Sequence, residues 1–326
     1  MKHSIAAVAA CMTGMCIASL PLAAPGDDAR FPQRAVRIIV PTAPSGGADL
    51  LGRVAAQRLG ERWGQNVVID NRAGAASLIG VELCARAAPD GYTLVVVNPS
   101  YMLTAQTSGR LSFERGGDFT PIAFSANTAM LFVMYPGVPA KSLKELVELA
   151  RAKPRSFDYG SGGTGTATHL LTELFASMAG IELTHVPYKG GGASVPPLMS
   201  GQVQLTLSAA ATVLPQVQAG RLRALAVTGK KRLPALPEIP TFAEAGYPRY
   251  GITVWYGVFG PAKIPAPLAA RLNADLNWVW TAPEVAERLA GAGFDSAGGL
   301  STTQFSNFVA AELVTWKEAL AAAGMR

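Results

Sequence analysis

The stretch Val36-Arg37-Ile38-Ile39-Val40, followed by PTAPSGGAD at 41–49, decides how the fold begins. The first part is a β-branched run that favours a buried strand, and residues 50–63 have the apolar spacing of a helix. A Gly-rich turn between a strand and a helix presents unpaired backbone N–H groups, which suit an anion. Taken alone, the motif favours a plain turn in which Ser45 caps the following helix.

The alternation of strand and helix continues along the chain. The predicted strands are 36–40, 66–70, 92–98, 156–160, 183–188, 203–208 and 222–229. The predicted helices are 48–63, 77–87, 166–179, a short one before Gly201, one from 266, 283–293 and 305–323, and 215–220 is predicted to be a turn. Apolar strands separated by helices imply parallel sheets that are covered on both faces.

Two crossings divide this pattern into two units. The apolar, non-helical segment 120–136 can carry the chain from one sheet to the other, and 240–265 can bring it back. We therefore expect an α/β fold with two domains, 30–128 plus 255–326 and 129–254, each a mostly parallel sheet flanked by helices. Ligands of open α/β sheets bind at the carboxyl ends of strands, which places a ligand cleft between the domains.

Composition and the N-terminus set the class of protein. The 326 residues are 49% hydrophobic and 15% charged, which is typical of a globular protein. Residues 1–24 are interpreted as a signal peptide, so the mature protein is expected in the periplasm as a monomer. Its removal leaves Cys84 as the single cysteine, a core residue without a disulfide. The net charge of +6 comes from dispersed Lys and Arg, a pattern that does not indicate nucleic-acid binding.

A second Gly-rich loop, GSGGTGTATH at 160–169, also lies between a predicted strand and a predicted helix. Two helix N-termini that meet across a cleft suit a small carboxylate. Backbone donors and the hydroxyls of Ser161, Thr164 and Thr166 are the expected binding groups. The loop has no P-loop lysine, so no nucleotide cofactor is predicted.

Other polar residues follow predicted strands. Tyr188 and Lys189 can close over an anion, although a surface turn with a solvated lysine is an equal alternative. Asp49 is expected to hold the first loop, residues 42–49, rather than to contact a ligand carboxylate directly, because two negative charges repel each other. The predicted ligand-binding residues are Thr42, Ser45, Gly46, Gly47, Asp49, Asn98, Ser161, Gly163, Thr164, Gly165, Thr166, His169, Tyr188 and Lys189.

Catalytic patterns are scarce. The mature chain has two histidines, His169 and His185, and it lacks H-E-x-x-H, G-x-S-x-G and C-x-x-C motifs. His169 can be a structural helix residue as well as a ligand contact, and His185 is interpreted as a packing or solvent-facing strand residue. We therefore predict neither an enzyme nor a metal site.

The chain resembles the substrate-binding receptors of tripartite tricarboxylate transporters, the Bug proteins. The resemblance rests on residues 31–80, APDGYTL (88–94), YGSGGTGTATHL (159–170), VPYKGGG (186–192), SGQVQL (200–205) and LPEIPTFAEAGYP (236–248). It implies a periplasmic fold in which backbone groups and ordered waters of loops 42–49 and 161–166 hold a ligand carboxylate. The family usually has an aromatic residue in place of Thr42 and commonly Gly in place of Ser45.

The resemblance implies a receptor that passes a small organic carboxylate to membrane transporter subunits. A receptor that signals to a membrane sensor kinase uses the same closed cleft, so the sequence leaves transport and sensing open. An enzyme on the same fold is disfavoured because no activated nucleophile is visible.

Overall fold

The computed structural model of the protein describes residues 31–114, 116–229, 231–250, 254–296 and 298–322. The predicted signal peptide lies outside these ranges. The strands are β1 (Val36–Val40), β2 (Val67–Asn71), β3 (Thr93–Val97), β4 (Phe119–Thr128), β5 (Met130–Met134), β6 (Asp158–Ser161), β7 (Thr184–Pro187), β8 (Leu205–Ala209), β9 (Arg223–Val227), β10 (Val254–Pro261) and β11 (Phe294–Ser296).

The helices flank these strands. They are α1 (Gly47–Trp63), α2 (Leu78–Ala85), α3 (Pro99–Thr107), α4 (Leu143–Ala152), α5 (Ala167–Ala179), α6 (Val195–Met199), α7 (Ala210–Gln218), α8 (Ala266–Trp280), α9 (Pro283–Gly291) and α10 (Thr302–Ala322). Short 3₁₀ turns, Ala75–Ser77 and Gly191–Ser194, precede α2 and α6. The predicted strands are confirmed to within about two residues at each end, and the α/β class is confirmed.

The strands form two sheets. The first has the order β11-β4-β10-β3-β1-β2 and the second the order β7-β6-β8-β5-β9. In the first sheet β1 is parallel to β2 and β3, and in the second β6 is parallel to β7 and β8. Strand β10 is antiparallel to β3 and β4, and β5 is antiparallel to β8 and β9.

The reversed strands follow from the crossings. Only Ala129 separates β4 from β5, so the chain runs out of the first sheet and straight into the second. Strand β5 therefore runs opposite to β6 and β8, and β10 is reversed in the first sheet after the return crossing. The chain passes from the first sheet to the second between Thr128 and Met130, and it returns between Val227 and Val254. The predicted domain boundaries stay a prediction.

Each sheet packs against an apolar cluster. In the first cluster, Phe305 of α10 lies 5.3 Å from Phe259 of β10, ring centre to ring centre. In the second, buried Leu131 of β5 packs with Val213 of α7. Apolar burial within each cluster holds the flanking helices against the sheet. Cys84 belongs to the first cluster and is fully buried, as predicted.

The structure corrects the helix pattern at some points. The predicted turn 215–220 is wrong, because α7 continues through Pro215 to Gln218. The helices α3 and α4 were not predicted. Within the residues that the structure describes, no helix is both long enough and apolar enough to span a membrane.

Candidate functional site

A cavity of about 340 Å³ lies between the carboxyl ends of the strands of the two sheets. Three strands of the first sheet (β1, β2 and β3) and three of the second (β6, β7 and β8) each end at its wall and lead into a helix or a 3₁₀ turn. This is where open α/β sheets bind ligands. The wall is formed by residues 41–44, 46–47, 73–77, 98, 100–101, 130, 162–163, 166–168, 188–193, 208–209, 212, 254 and 256.

The N-terminal ends of α1 and α5 meet at this cavity without a side-chain cap. Their N-cap residues are Gly46 and Thr166, and neither helix has a capping hydrogen bond from a side chain. The first-turn N–H groups of a helix have no intrahelical acceptor and carry a partial positive charge. Both sheets therefore direct a positive helix end at the same space. The expected cap by Ser45 is wrong, because Gly46 occupies the N-cap position.

Asp49 holds the first loop from behind. One carboxylate oxygen, Oδ2, accepts from the backbone N–H of Ser45 (3.1 Å) and from Arg53 Nε (2.9 Å), and Oδ1 accepts from Asn71 Nδ2 (2.9 Å). Burial raises the pKa of Asp49, but these hydrogen bonds outweigh it and leave the pKa below its ordinary value. Asp49 is therefore ionised, and like Ser45 it does not line the cavity.

In the second loop, residues 160–169, three glycine N–H groups donate hydrogen bonds to acceptors within the loop. Gly162 N donates to Thr168 Oγ1 (2.8 Å), Gly163 N to Ser161 Oγ (3.0 Å) and Gly165 N to His169 Nδ1 (3.2 Å). These three N–H groups are therefore engaged within the loop, and their contact with a ligand stays a prediction. The donors that remain are those of the first turn of α5, where Ala167 and Thr168 line the wall.

Two of the hydroxyls predicted in this loop, those of Ser161 and Thr166, form hydrogen bonds within it. Thr166 Oγ1 donates to Gly163 O (2.7 Å) and shares a hydrogen bond with Thr168 Oγ1 (3.0 Å). Thr166 still lines the cavity, whereas exposed Thr164 does not. Short polar side chains beside a turn commonly bond to the local backbone, which explains this arrangement.

A cluster of aromatic and titratable groups lies behind the second loop. Ser161 Oγ and His185 Nε2 are 2.6 Å apart, the rings of His185 and His169 are 4.1 Å apart, and Tyr159 donates to Glu173. Burial lowers the pKa of His169, and burial with the neighbouring His169 lowers the pKa of His185 to about 4. Both rings are therefore neutral at pH 7.

The Ser161–His185 pair resembles half of a hydrolase site, but its position argues against that chemistry. Ser161 is fully buried, and its hydroxyl already accepts from Gly163 N. Neither side chain lines the cavity. A nucleophile has to reach its substrate, so this pair supports the loop instead.

The third loop, residues 188–193, closes the wall of the second sheet. It packs so tightly on the second loop that a Cβ on Gly162 would lie 2.8 Å from Gly191 N. It also approaches the first loop, since a Cβ on Gly190 would lie 3.8 Å from that of Ala43. Lys189 is exposed and lines the cavity, and it is the one charged side chain among the described wall residues.

Two residues of the wall, Tyr188 and Ser208, carry buried hydroxyls. Tyr188 OH and Ser208 Oγ have no hydrogen-bond partner in the described part of the chain. Burial raises the pKa of Tyr101 above its ordinary value and that of Tyr256 to about 12. These two wall phenols are therefore neutral, and most of the wall that the structure describes is apolar.

The predicted residues divide into two groups. The wall contains Thr42, Gly46, Gly47, Asn98, Gly163, Thr166, Tyr188 and Lys189. The other predicted residues do not line the cavity: Ser45, Asp49, Ser161, Thr164, Gly165 and His169. Asn98 also fixes the start of α3, because its Oδ1 accepts from Ser100 Oγ (2.8 Å) and Tyr101 N (3.2 Å).

Sequence reasoning missed part of the wall. Residues 73–77 follow β2 and include Ala75, Ala76 and Ser77, which are all left-handed, with φ of 47°, 50° and 78°. Consecutive non-glycine residues in this conformation store strain, which is typical of functional sites. Ser208 lies near the carboxyl end of β8 and Thr212 lies in α7, which follows it. The rule that ligands bind after parallel strands is the signal that could have found both segments.

Metal ligation finds no support in this geometry. Within the described ranges, no group of three or more His, Cys, Asp or Glu side chains could hold a metal ion.

Comparison with known proteins places these features in a family. Residues 51–325 match the family described as "Tripartite tricarboxylate transporter family receptor". Protein BugT of Bordetella pertussis is 32% identical over 305 residues, which cover 93% of this chain and 93% of BugT.

Solved structures agree with the observed fold. The chain is similar to R. palustris Rpa4515 with adipate, with a TM-score of 0.84 and 34% identity over 90% of this chain and 98% of that one. It is also similar to the periplasmic binding protein BugD, with a TM-score of 0.85 and 28% identity over 91% of this chain and 99% of that one.

Proposed function

The chain belongs to the tripartite tricarboxylate transporter receptor family, and from that premise we propose that it captures a small organic carboxylate for uptake by membrane transporter subunits. The single observation that carries the proposal is the cavity at which α1 and α5, one from each sheet, begin without side-chain caps. Unpaired first-turn N–H groups and the positive helix ends favour a bound anion.

The proposed contacts come from both sheets. The first turn of α1, which contains Gly47, and the first turn of α5, which contains Ala167, donate backbone hydrogen bonds to the carboxylate. Lys189 adds a positive charge at the exposed part of the wall. Asp49 and Ser161 hold the loops in place from behind.

Size and lining also support a small ligand. The volume of about 340 Å³ lies at the lower end of the range for small-molecule sites. Alanines, prolines and Met130 supply apolar contact, while the hydroxyls supply directed hydrogen bonds. The adipate in the related Rpa4515 structure is consistent with a carboxylate ligand.

We further propose that the mature protein is a periplasmic monomer whose domains, 30–128 plus 255–326 and 129–254, close over the ligand. The predicted signal segment and the likeness to BugD support this location. Cell fractionation tests the location, and sedimentation with and without ligand tests the monomer and the closure.

A thermal-shift screen against mono-, di- and tricarboxylates, aromatic acids and acidic amino acids tests the function. A ligand present at 100 times its dissociation constant adds about 2.7 kcal/mol of stability. Calorimetric titration then gives the affinity, and mass spectrometry of the recovered ligand tests for turnover. Unchanged ligand is expected, and a converted product would show an enzyme instead.

Lys189→Gln tests the charge at the wall, with Lys144→Gln as its control, because Lys144 is exposed on α4 and does not line the cavity. We expect Lys189→Gln to weaken carboxylate binding about 3- to 10-fold, since a solvated cation adds little. Lys144→Gln should leave binding unchanged. If no carboxylate stabilises the parent protein, the proposed function is wrong.

A further inference from the structure

An exposed apolar surface lies at the free edge of the first sheet. Val68 of β2 and Ile79 and Leu83 of α2 are 50%, 47% and 39% exposed, and we call these three residues the edge patch. They are three of the five large hydrophobic side chains that are exposed in the described part of the chain. Single exposed apolar residues are common on protein surfaces, whereas a group of them indicates an interaction site.

The residues of the edge patch lie on one face of the sheet. Val68 is directly opposite Arg37 of the parallel strand β1, so the two side chains point to the same face. Two positions along β1, Ile39 points to this face as well, and it packs in the same apolar cluster as Cys84 of α2. Val68 is therefore on the face of the sheet that α2 occupies.

Ile79 and Leu83 lie on the flank of α2 that is nearest to β2. They are one helical turn apart, so they share one side of the helix. The opposite flank, with Leu78 and Ala85, packs against the first apolar cluster. Because β2 is the last strand of its sheet, no described strand covers this flank, and one row of β2 backbone N–H and C=O groups has no neighbouring strand.

The rim of the edge patch carries an excess of positive charge. Each of its two acids is shared by two arginines, at distances between 2.8 and 3.6 Å. The pairs are Asp70 with Arg37 and Arg72, and Glu82 with Arg86 and Arg110. Four positive charges therefore face two negative ones, and a partner with acidic side chains complements this rim.

The edge patch is also connected to the cavity. Residues 73–77 form part of the cavity wall and lead directly into α2. A Cβ on Gly74 would lie 2.7 Å from Ile79 Cδ1, so this side chain of the edge patch packs on the wall segment. A partner that binds the edge patch therefore contacts the support of the cavity wall.

We infer that the edge patch is the docking surface for a membrane transporter subunit that presents an apolar segment with acidic residues. The inference rests on the proposed function, because it assumes that the protein delivers a carboxylate to a transporter. Apolar contact supplies the affinity, and the arginine rim attracts the acidic residues and fixes the orientation. The contact with residues 73–77 favours a transporter over a lipid surface or a second copy, since delivery requires access to the part of the receptor that holds the carboxylate.

Uptake by spheroplasts of the source bacterium, prepared from cells that lack this protein, tests the docking surface. The spheroplasts receive purified parent or variant protein together with each radiolabelled acid of the thermal-shift screen that binds the parent. Val68→Glu should lower uptake about tenfold or more, because it places a charge in the apolar contact and repels an acidic partner. Its affinity for the acid in calorimetric titration should stay within about twofold of the parent, since Val68 does not line the cavity.

Val314→Glu is the matched control. Val314 is 55% exposed on α10, a helix that packs against β4 and α3 instead of β2. Uptake with this variant should equal that of the parent. Leu83→Glu provides a second site in the edge patch and should lower uptake as Val68→Glu does. All of these variants should unfold at about the temperature of the parent, because each changes an exposed side chain.

Val68→Lys tests the charge of the partner. It disrupts the apolar contact without repelling acidic residues, so it should retain about threefold more uptake than Val68→Glu. Equal uptake with the two variants refutes an acidic partner.

Several outcomes would overturn the docking surface. If Val68→Glu and Leu83→Glu support as much uptake as Val314→Glu, the inference is wrong and the proposed function stands. A parent protein that sediments with phosphatidylglycerol vesicles, or that forms a dimer, and loses this association in Val68→Glu has a lipid surface or a second copy as its partner instead. If acids bind the parent without supporting uptake, delivery and docking both fail, and if no acid binds, the proposed function itself is wrong.

Discussion

Gly162 is the residue at which two walls of the cavity are closest, and replacing it with alanine should separate them. A Cβ at this position would lie 2.8 Å from Gly191 N and 3.1 Å from Gly190 C. Both atoms are backbone, so no flexible side chain can move aside. Ordinary contact begins at 3.4 Å, so the second and third loops would have to part by about 0.6 Å.

This displacement acts on a hydrogen bond as well as on packing. Gly190 N donates to Gly162 O at 3.0 Å, and this bond lengthens when the loops part. Overpacking in a close-packed site typically costs about 1 to 3 kcal/mol. We therefore expect Gly162→Ala to lower the free energy of unfolding by about 1 to 3 kcal/mol and to weaken ligand binding, since both loops form the wall.

The assay is equilibrium unfolding in urea, followed by circular dichroism. Gly46→Ala is the matched control, because Gly46 also lines the cavity after a strand, but a Cβ there would find Thr42 Oγ1 at 3.8 Å as its nearest neighbour. The φ of Gly46 is −91°, which alanine adopts freely, so its unfolding free energy should change by less than about 0.5 kcal/mol. Equal stability of the two variants would refute the close approach.

Three further outcomes follow from titratable groups. Asp49→Asn should lower the free energy of unfolding at pH 7 by about 1 to 3 kcal/mol, because it weakens the hydrogen bonds that the Asp49 carboxylate accepts. The difference in stability from the parent should shrink as the pH falls through the lowered pKa of Asp49, since the carboxylate is ionised only above that pKa. A difference in urea unfolding that does not change with pH would contradict this. The pKa of His185 is lowered to about 4, so as the pH falls the unfolded chain takes up this proton before the folded chain does. The free energy of unfolding should therefore fall by about 1 kcal/mol between pH 6.5 and 4. His185→Gln, which keeps an acceptor for Ser161, should reduce that loss, and an equal loss in the variant would contradict the role of His185. Burial raises the pKa of Cys84 to about 12, so the folded mature protein should resist a thiol reagent at pH 8 and show one reactive thiol after unfolding; rapid labelling of the folded protein would exclude this burial.

The sequence predicted the strands well because each is a short apolar run that ends in a turn. Val36–Val40 and Thr93–Val97 are two of these, and both are almost fully buried. The place of β10 between β3 and β4 could not be predicted, because strand order depends on contacts between distant parts of the chain. Helix α4 could have been predicted from the Ser and Glu three residues apart at 142 and 145. Ser142 Oγ accepts from Glu145 N at the helix start, and Glu145 Oε2 accepts from Lys141 N.

The turn predicted at 215–220 shows where a local rule fails. Proline usually ends a helix, because it lacks an N–H and crowds the preceding turn. In α7, Pro215 stays within the helix, whose buried Val213 and Leu214 pack on the second sheet. Tertiary packing therefore outweighs the local preference.

For the site, the sequence indicated which loops meet and not which atoms point outward. Glycine-rich segments after β1 and β6 marked the right edge of each sheet, because parallel strands end there together. The direction of Ser161 and the use of Gly163 N inside the loop depend on His185, which lies on another strand. Such directions follow from the packed structure alone.

The hydrogen bonds around the cavity are distributed unevenly. Behind the wall, Asp49 and Ser161 have partners for their oxygens, while at the wall Tyr188 OH and Ser208 Oγ have none among the described residues. The groups behind the wall stabilise the fold, so their loss should lower the free energy of unfolding. Buried hydroxyls without a partner cost stability, which is a pattern expected of a functional site. Asp49→Asn should therefore lower the free energy of unfolding more than removal of the Ser208 hydroxyl does.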